Sequence, residues 1–285
     1  MGDKPPLLDH IIIAVHNLDL AARDFAQVLG YPPGWRGFDP DDGTRNIVFR
    51  LENTCLELLA PDRPGPGSDT IAAHLDAYGE GLFGLAFGVD DIDAFAARLR
   101  ASGMDVTAPR GGSTTSSVSG TRRQWRSFSW PMESSRGIFS FALRHDSPPD
   151  SLPMTLSGAT HELHAVDHIV INTSDGDAAA AFYGDLLGLR LALRQNKPQW
   201  GGDMLFFRTS HMSIEVIATA KHDPHRDSLW GIALRANDIA SAYRRLVDAG
   251  VEVSALRDGR KPHTRVCTVK SHCCGIPTLL IGPAD

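Results

Sequence analysis

Two histidines, two glutamates and two arginines recur at one spacing in this 285-residue sequence. His10 and His168 each follow an aspartate and precede an isoleucine, Glu57 and Glu215 come at equal distances after them, and Arg50 and Arg208 fall seven residues before the glutamates. A histidine and a carboxylate sharing one pocket can hydrogen bond to each other or hold and pass a proton. An arginine beside such a pair can neutralise the carboxylate or grip a substrate carboxylate with both arms of its guanidinium. Its competing reading is a solvent-facing residue next to a hairpin turn. Alternate strand residues point to opposite faces, so equal spacing in both copies keeps each pair on one side of its sheet. Other chemistries fall away: no phosphate loop, dinucleotide fingerprint or nucleophile elbow stands between a strand and a helix.

The elements that must carry these groups repeat with them. Residues 9 to 57 overlie residues 167 to 215 without a gap, and Leu29-Gly30 falls on Leu187-Gly188. Each copy opens with a short β-branched run, Ile11 to Val15 or Ile169 to Thr173. An amphipathic stretch follows that ends at a glycine suited to a left-handed cap, and then segments of strand character. A weaker pair, starting at Phe83 and Trp230, fills the remaining space, so the chain reads as four modules of one helix and a small sheet. Each sheet carries its helix on the convex face and leaves the concave face uncovered, so modules must pair into cups. The expected class is α+β, with a first domain over 1–146, a linker over 147–165 and a second domain over 166–285. Gly111 to Ser117 reads as a flexible loop and a lid for the first cup. Pro277 marks a final strand suited to a sheet edge. Trp125, Phe128, Trp130, Phe139 and Phe141 make the second module aromatic; Trp125 and Phe141 are the candidates to face the cup and favour a planar ligand.

Apolar residues make up 42% and charged residues 22%, and no apolar run reaches the roughly 18 residues that a membrane span needs. A net charge of -6 argues against nucleic acid or an anionic membrane as the main partner. The start, MGDKPPLLDH, has no basic segment followed by an apolar one, so the expected setting is the cytoplasm and the expected partner a small molecule. Cys55, Cys267, Cys273 and Cys274 read as free thiols, and His272-Cys273-Cys274 as a hairpin turn.

Leu8-Asp9-His10-Ile11, the stretch Cys55-Leu56-Glu57-Leu58-Leu59 and the helix Phe182 to Leu189 resemble the βαβββ module of the vicinal oxygen chelate superfamily of glyoxalases, extradiol dioxygenases and bleomycin-resistance proteins. Gly43 to Asn46 leading into Cys55 to Leu59 looks most like poorly characterised glyoxalase-like proteins. The resemblance implies four βαβββ modules pairing into two glyoxalase-like cups, with module one joined to module two or to module four. Carried over by position, it implies metal ligands at His10 and Glu57 and at His168 and Glu215, the glutamates also serving as the catalytic groups. The matching positions in modules two and four are Gly84 and Phe141, and Gly231 and Leu279, so each cup lacks a ligand that His145 or His164 would have to supply. Two functions follow. One is a lyase, isomerase or ring-cleaving dioxygenase holding iron, manganese, zinc or nickel and acting on a small aromatic or 2-oxo compound. The other is a metal-free protein that sequesters an aromatic metabolite or antibiotic. Either would be a monomer or a homodimer, with the larger cup expected in the first half.

Overall fold

A computed structural model of the chain describes residues 4–198 and 202–284. The first module runs β1 (Leu7–Ala14), α1 (Leu18–Leu29), β2 (Trp35–Asp39), β3 (Thr44–Arg50) and β4 (Cys55–Pro61). A helix between modules, α2 (Pro66–Tyr78), leads to the second: β5 (Gly81–Gly88), α3 (Ile92–Ala101), β6 (Arg110–Ser116), β7 (Arg122–Ser129) and β8 (Phe139–His145). An acidic or amide side chain opens each module helix. Asn17 accepts from the Leu20 amide, and Asp91 from the amides of Asp93 and Ala94, satisfying donors that a first helical turn leaves free. α1 stops at Gly30, whose φ of 95° is the left-handed conformation that glycine adopts without strain.

Modules one and two pair, and their strands close into a barrel in the order β1-β4-β3-β2-β6-β7-β8-β5. The closing seam is short, with Gly37 opposite Ser116 and Phe38 opposite Thr115. The stretch from Gly111 was expected to be a flexible loop; most of it is instead strand β6, half of that seam. Its threonines favour extended backbone, and Gly112 is needed because a Cβ there would come 2.7 Å from the Trp125 indole.

β1 divides the interior by parity. Ile11, Ile13 and Val15 join the large core under the helices, while Ile12 and Ala14 face the barrel interior with Phe83. α2 adds Ile71 and Leu75, one turn apart, to this inner cluster. Burial of each contributes about 1.5–3 kcal/mol. Near the opposite end of the interior, Leu152 from the inter-domain segment packs on Trp35, Val48 and Cys55. A helix and a linker residue thus close off a chamber whose strands carry His10 and Glu57.

The second half runs β9 (Leu163–Thr173), α4 (Gly176–Ala179), a π-helical continuation (Ala180–Leu186), β10 (Arg190–Lys197), β11 (Gly202–Thr209), β12 (Met212–Ala218), β13 (Ser228–Ala236), α5 (Ile239–Asp248), β14 (Arg257–Asp258), β15 (Thr264–Val269) and β16 (Thr278–Pro283). Its strands form one open sheet in the order β10-β11-β12-β9-β13-β16-β15-β14. Two expectations change here. Pro277 precedes β16, and β16 lies inside the sheet between β13 and β15, where the Pro277 carbonyl accepts from the Ile232 amide. β9 starts at Leu163, within the stretch taken as linker. The second-half helix is also irregular: the Leu187 amide reaches the Phe182 carbonyl five residues back, in a run containing Gly184, a poor α-former. Among the described residues, α2 is additional to one helix per module.

The helices of the two halves pack against each other, so one core runs through both. Arg245 on α5 donates to the carbonyls of Gln27 and Val28 at the end of α1, and Arg98 on α3 donates to those of Leu186 and Leu187. Each arginine thereby satisfies carbonyls that a helix end leaves free in the other half.

Candidate functional site

β1 and β4 run parallel with His10 beside Cys55 and Ile12 beside Glu57, which places His10 and Glu57 on the same inner face. The ladder to β5 slips at one point: Leu8 pairs with Phe87 and His10 with Ala86, leaving Asp9 as an extra residue. Such a bulge turns consecutive side chains to one side. Leu8 and Ile11 accordingly share the outer core, and Asp9 joins His10 on the inside.

Asp9 links two histidines. Its Oδ1 lies 2.5 Å from His10 Nδ1 and 3.0 Å from Nε2 of His145, the last residue of β8. Burial alone would raise the Asp9 carboxyl, but His10 and His145 hold it well below the usual carboxylate range. Burial alone would lower His10, yet Asp9, with Cys55 across the ladder, raises it well above the ordinary histidine value. The cluster opens into a cavity of about 320 Å³ that Glu57, Trp125, Phe139 and Phe141 also line. Glu57 Oε1 accepts from Asn46 Nδ2 at 2.6 Å. Gly37 gives this pair room, because a Cβ there would stand 2.8 Å from Asn46 Oδ1 and 2.4 Å from Trp35 Nε1. A second cleft, of about 370 Å³, runs between the halves beside α2 and holds none of the Asp9, His10 and His145 group.

The equivalent groups of the second half are arranged differently. β9 carries the same bulge, with Val166 beside Leu234 and His168 beside Ala233, so Asp167 stands next to His168 at 3.0 Å. His168 Nε2 lies 3.6 Å from Glu215 Oε2, and Lys261 Nζ sits 3.1 Å from both oxygens of Asp167. Burial raises the Glu215 carboxyl despite the pull of His168 and Arg260. The position matching His145 is Pro283, which offers no donor side chain. The Lys261 side chain, with Arg235 Nε 3.4 Å from Asp167, compensates the acidic group here.

The remaining sequence candidates separate. Trp125 and Phe141 line the first-half cavity. Arg50 shares the strand parity of Asn46 but lies beyond the chamber, where it donates to the Pro149 and Leu152 carbonyls and clamps the linker instead of facing a ligand. Arg208 donates to Ser213 on the neighbouring strand. His164 stands 3.9 Å from Glu52, away from both clusters. Most of the 111–117 segment is strand β6 of the barrel wall, and the helix that lines the cavity is α2, through Pro66, Thr70 and Ile71. Sequence reasoning missed Asp9, Asn46, Arg123 and α2 as parts of the site. The repeated Asp-His dipeptide was a signal for Asp9, and Pro66 ahead of Ile71 and Leu75 was one for α2.

The donor set suits a metal. One donor atom from each of Asp9, His10 and His145 lies within 4.8 Å of the others. Ligands about 2.0–2.2 Å from one ion stand roughly 3–4 Å apart. Asp9 Oδ1 already lies 3.0 Å from His145 Nε2, and its 2.5 Å contact with His10 Nδ1 would open slightly to admit an ion. Two imidazoles and a carboxylate match iron, manganese, zinc or nickel, whereas calcium and magnesium favour all-oxygen shells. Glu57 lies outside this compact group, although it lines the same cavity.

Paired βαβββ modules around an inner chamber of this kind define the glyoxalase and dioxygenase class of α+β proteins. The chain belongs to the glyoxalase-like domain family within the vicinal oxygen chelate superfamily: the "Glyoxalase-like domain" description matches residues 8–166, and "Glyoxalase/Bleomycin resistance protein/Dioxygenase superfamily" matches residues 167–268. An ethylmalonyl-CoA/methylmalonyl-CoA epimerase of Cereibacter sphaeroides is 37% identical over 100 residues, which cover 35% of this chain and 72% of that protein. In structure, a mutant 4-hydroxymandelate synthase from Streptomyces coelicolor superposes with a TM-score of 0.67 at 17% identity, over 98% of this chain and 93% of that one. The Mn(II)-bound glyoxalase from Novosphingobium aromaticivorans does so with a TM-score of 0.64 at 15% identity, over 100% of this chain and 84% of that one. These two likenesses show the shared fold. Among the described residues, no helix is long and apolar enough to cross a membrane.

Proposed function

We propose that the first half is the working half of a metal-dependent enzyme that acts on a small oxygen-bearing compound. The observation that carries the reading is the joining of two histidines and Asp9 to a cavity that also holds Glu57. His10 and His145 would hold the ion, with Asp9 either completing the set or fixing the His10 ring through Nδ1. A divalent ion there would polarise a substrate oxygen and acidify the adjacent C–H or O–H.

The chain supplies the rest. Asn46 holds one Glu57 oxygen, and the other has no hydrogen-bond partner among the described residues, so this carboxylate can take up and return a proton. The Phe139 and Phe141 rings give the substrate an apolar wall, and α2 limits the entry of water. Metal analysis of protein purified without chelators or a histidine tag tests the reading. A stoichiometric transition metal that is lost on His10→Ala supports it, and metal-free protein contradicts it.

A second reading, a metal-free binder of an aromatic compound, draws on Gly84 and Phe141 standing where the superfamily resemblance puts ligands. Metal-free protein that binds an aromatic compound would favour it.

A further inference from the structure

Among the described residues, a mostly buried guanidinium lines the first-half cavity with no anion bonded to it. Arg123 on β7 is 7% exposed and lies 5.3 Å from the centre of the Trp35 ring. Among the described residues it makes no direct hydrogen bond or ion pair, and the Glu57 and Asp9 carboxylates beside the cavity act on it only through space. Other half-buried arginines have direct partners: Arg98 and Arg245 donate to helix-end carbonyls, and Arg136 pairs with Asp227 at 3.0 Å. A mostly buried cation whose nitrogens open onto a cavity, with its nearest carboxylates not bonded to it, keeps its donor edge for an incoming anion, and a guanidinium is built to take a carboxylate with two parallel bonds.

The same cavity has an apolar wall. The Phe83 and Phe139 rings stack at 4.8 Å and Phe141 lies beside them, with Ile71 of α2 alongside. We propose that Arg123 is the anion-binding group of this site and that the ligand is an aromatic carboxylate, its carboxylate on Arg123 and its ring against the phenylalanines. This rests on the first-half cavity being the working site and adds the charge and shape of what enters it.

Phenylacetate and its neutral isostere phenylacetamide test the proposal by calorimetric titration of chelator-treated protein, so that no metal can receive the carboxylate. The intact chain should bind phenylacetate about tenfold or more tightly than the amide. Arg123→Gln should erase that preference, and Arg123→Lys should keep part of it, because an ammonium retains charge but loses the fork. The proposal is overturned if the intact chain shows no saturable phenylacetate binding, if acid and amide bind equally, or if Arg123→Gln keeps the preference. Should Arg123→Gln fail to fold, Arg123→Lys and the comparison of acid with amide on the intact chain still decide. A parallel Mn²⁺ titration separates the two readings: a carboxylate preference that follows Arg123 in protein binding no metal leaves this inference standing and removes the metal.

Discussion

His145 Nε2 lies 3.0 Å from Asp9 Oδ1, which joins the last strand of the first half to its first strand. The contact depends on the bulge at Asp9, because regular alternation would send that carboxylate into the outer core. Asp9→Asn keeps the shape and removes the charge, so it should weaken Mn²⁺ binding about 10- to 100-fold whether Asp9 ligates the ion or orients His10. Isothermal titration reads this directly, and unchanged affinity would place the ion elsewhere.

Glu57 and Glu215 occupy the same position in the repeat but different surroundings. Glu57 lines a cavity, whereas Glu215 stands 3.6 Å from His168 in a cluster compensated by Lys261. Glu57→Gln should alter ligand or metal binding far more than Glu215→Gln. Titrating both variants with Mn²⁺ and phenylacetate checks this, and an equal or reversed loss would locate the working site in the second half.

Arg98 and Arg245 hold the halves together from matching places on α3 and α5. Removing either leaves two helix-end carbonyls at the interface without their donors, and a charged hydrogen bond of this kind is worth about 1.5–3 kcal/mol. Arg245→Ala should lower the urea midpoint by a corresponding amount. Arg245→Lys should recover only part of it, since one ammonium cannot reproduce the fork. No shift in midpoint for Arg245→Ala would show that these bonds do not stabilise the interface.

Acid sensitivity should arise in part from Glu162, which is 3% exposed. Burial would raise its carboxyl, but bonds from the Ser157 amide and hydroxyl and from the Gly158 amide outweigh that and hold it below its ordinary 4.5. A carboxyl lowered on folding contributes its stabilisation above the unfolded value and loses it as pH falls through the folded one. Glu162→Gln should therefore cost about 1–3 kcal/mol at neutral pH, with the difference from the parent shrinking below about pH 4. Urea denaturation at several pH values measures it, and a difference that stays constant with pH would contradict it.

The repeat made the modules legible, because hydrophobic alternation and glycine caps are local signals that survive in both copies. The inward direction of His10 and Glu57 was equally readable from strand parity. Asp9 was not, since a bulge is set by pairing with β5 and breaks the parity that sequence reasoning must assume. Arg50 has the inward parity expected of it, yet the position of the linker along the barrel gives it carbonyls to bind in place of a ligand. The strand character of β6 was hidden because its glycines and threonines are chosen by contacts with Trp125 and β2, which no local pattern reports. Arg123 stood among neighbouring arginines, and only the burial of one of them distinguishes it.

The measurement that bears most directly on the first half as the working site is Mn²⁺ binding, followed by electron paramagnetic resonance, in the intact chain and in His145→Ala and His168→Ala. His145 belongs to the Asp9 cluster, whereas His168 lies beside a carboxylate already neutralised by Lys261. The intact chain and His168→Ala should each hold a single Mn²⁺ with similar affinity, and His145→Ala should lose about tenfold or more. Loss of binding in His168→Ala with retention in His145→Ala would contradict the assignment.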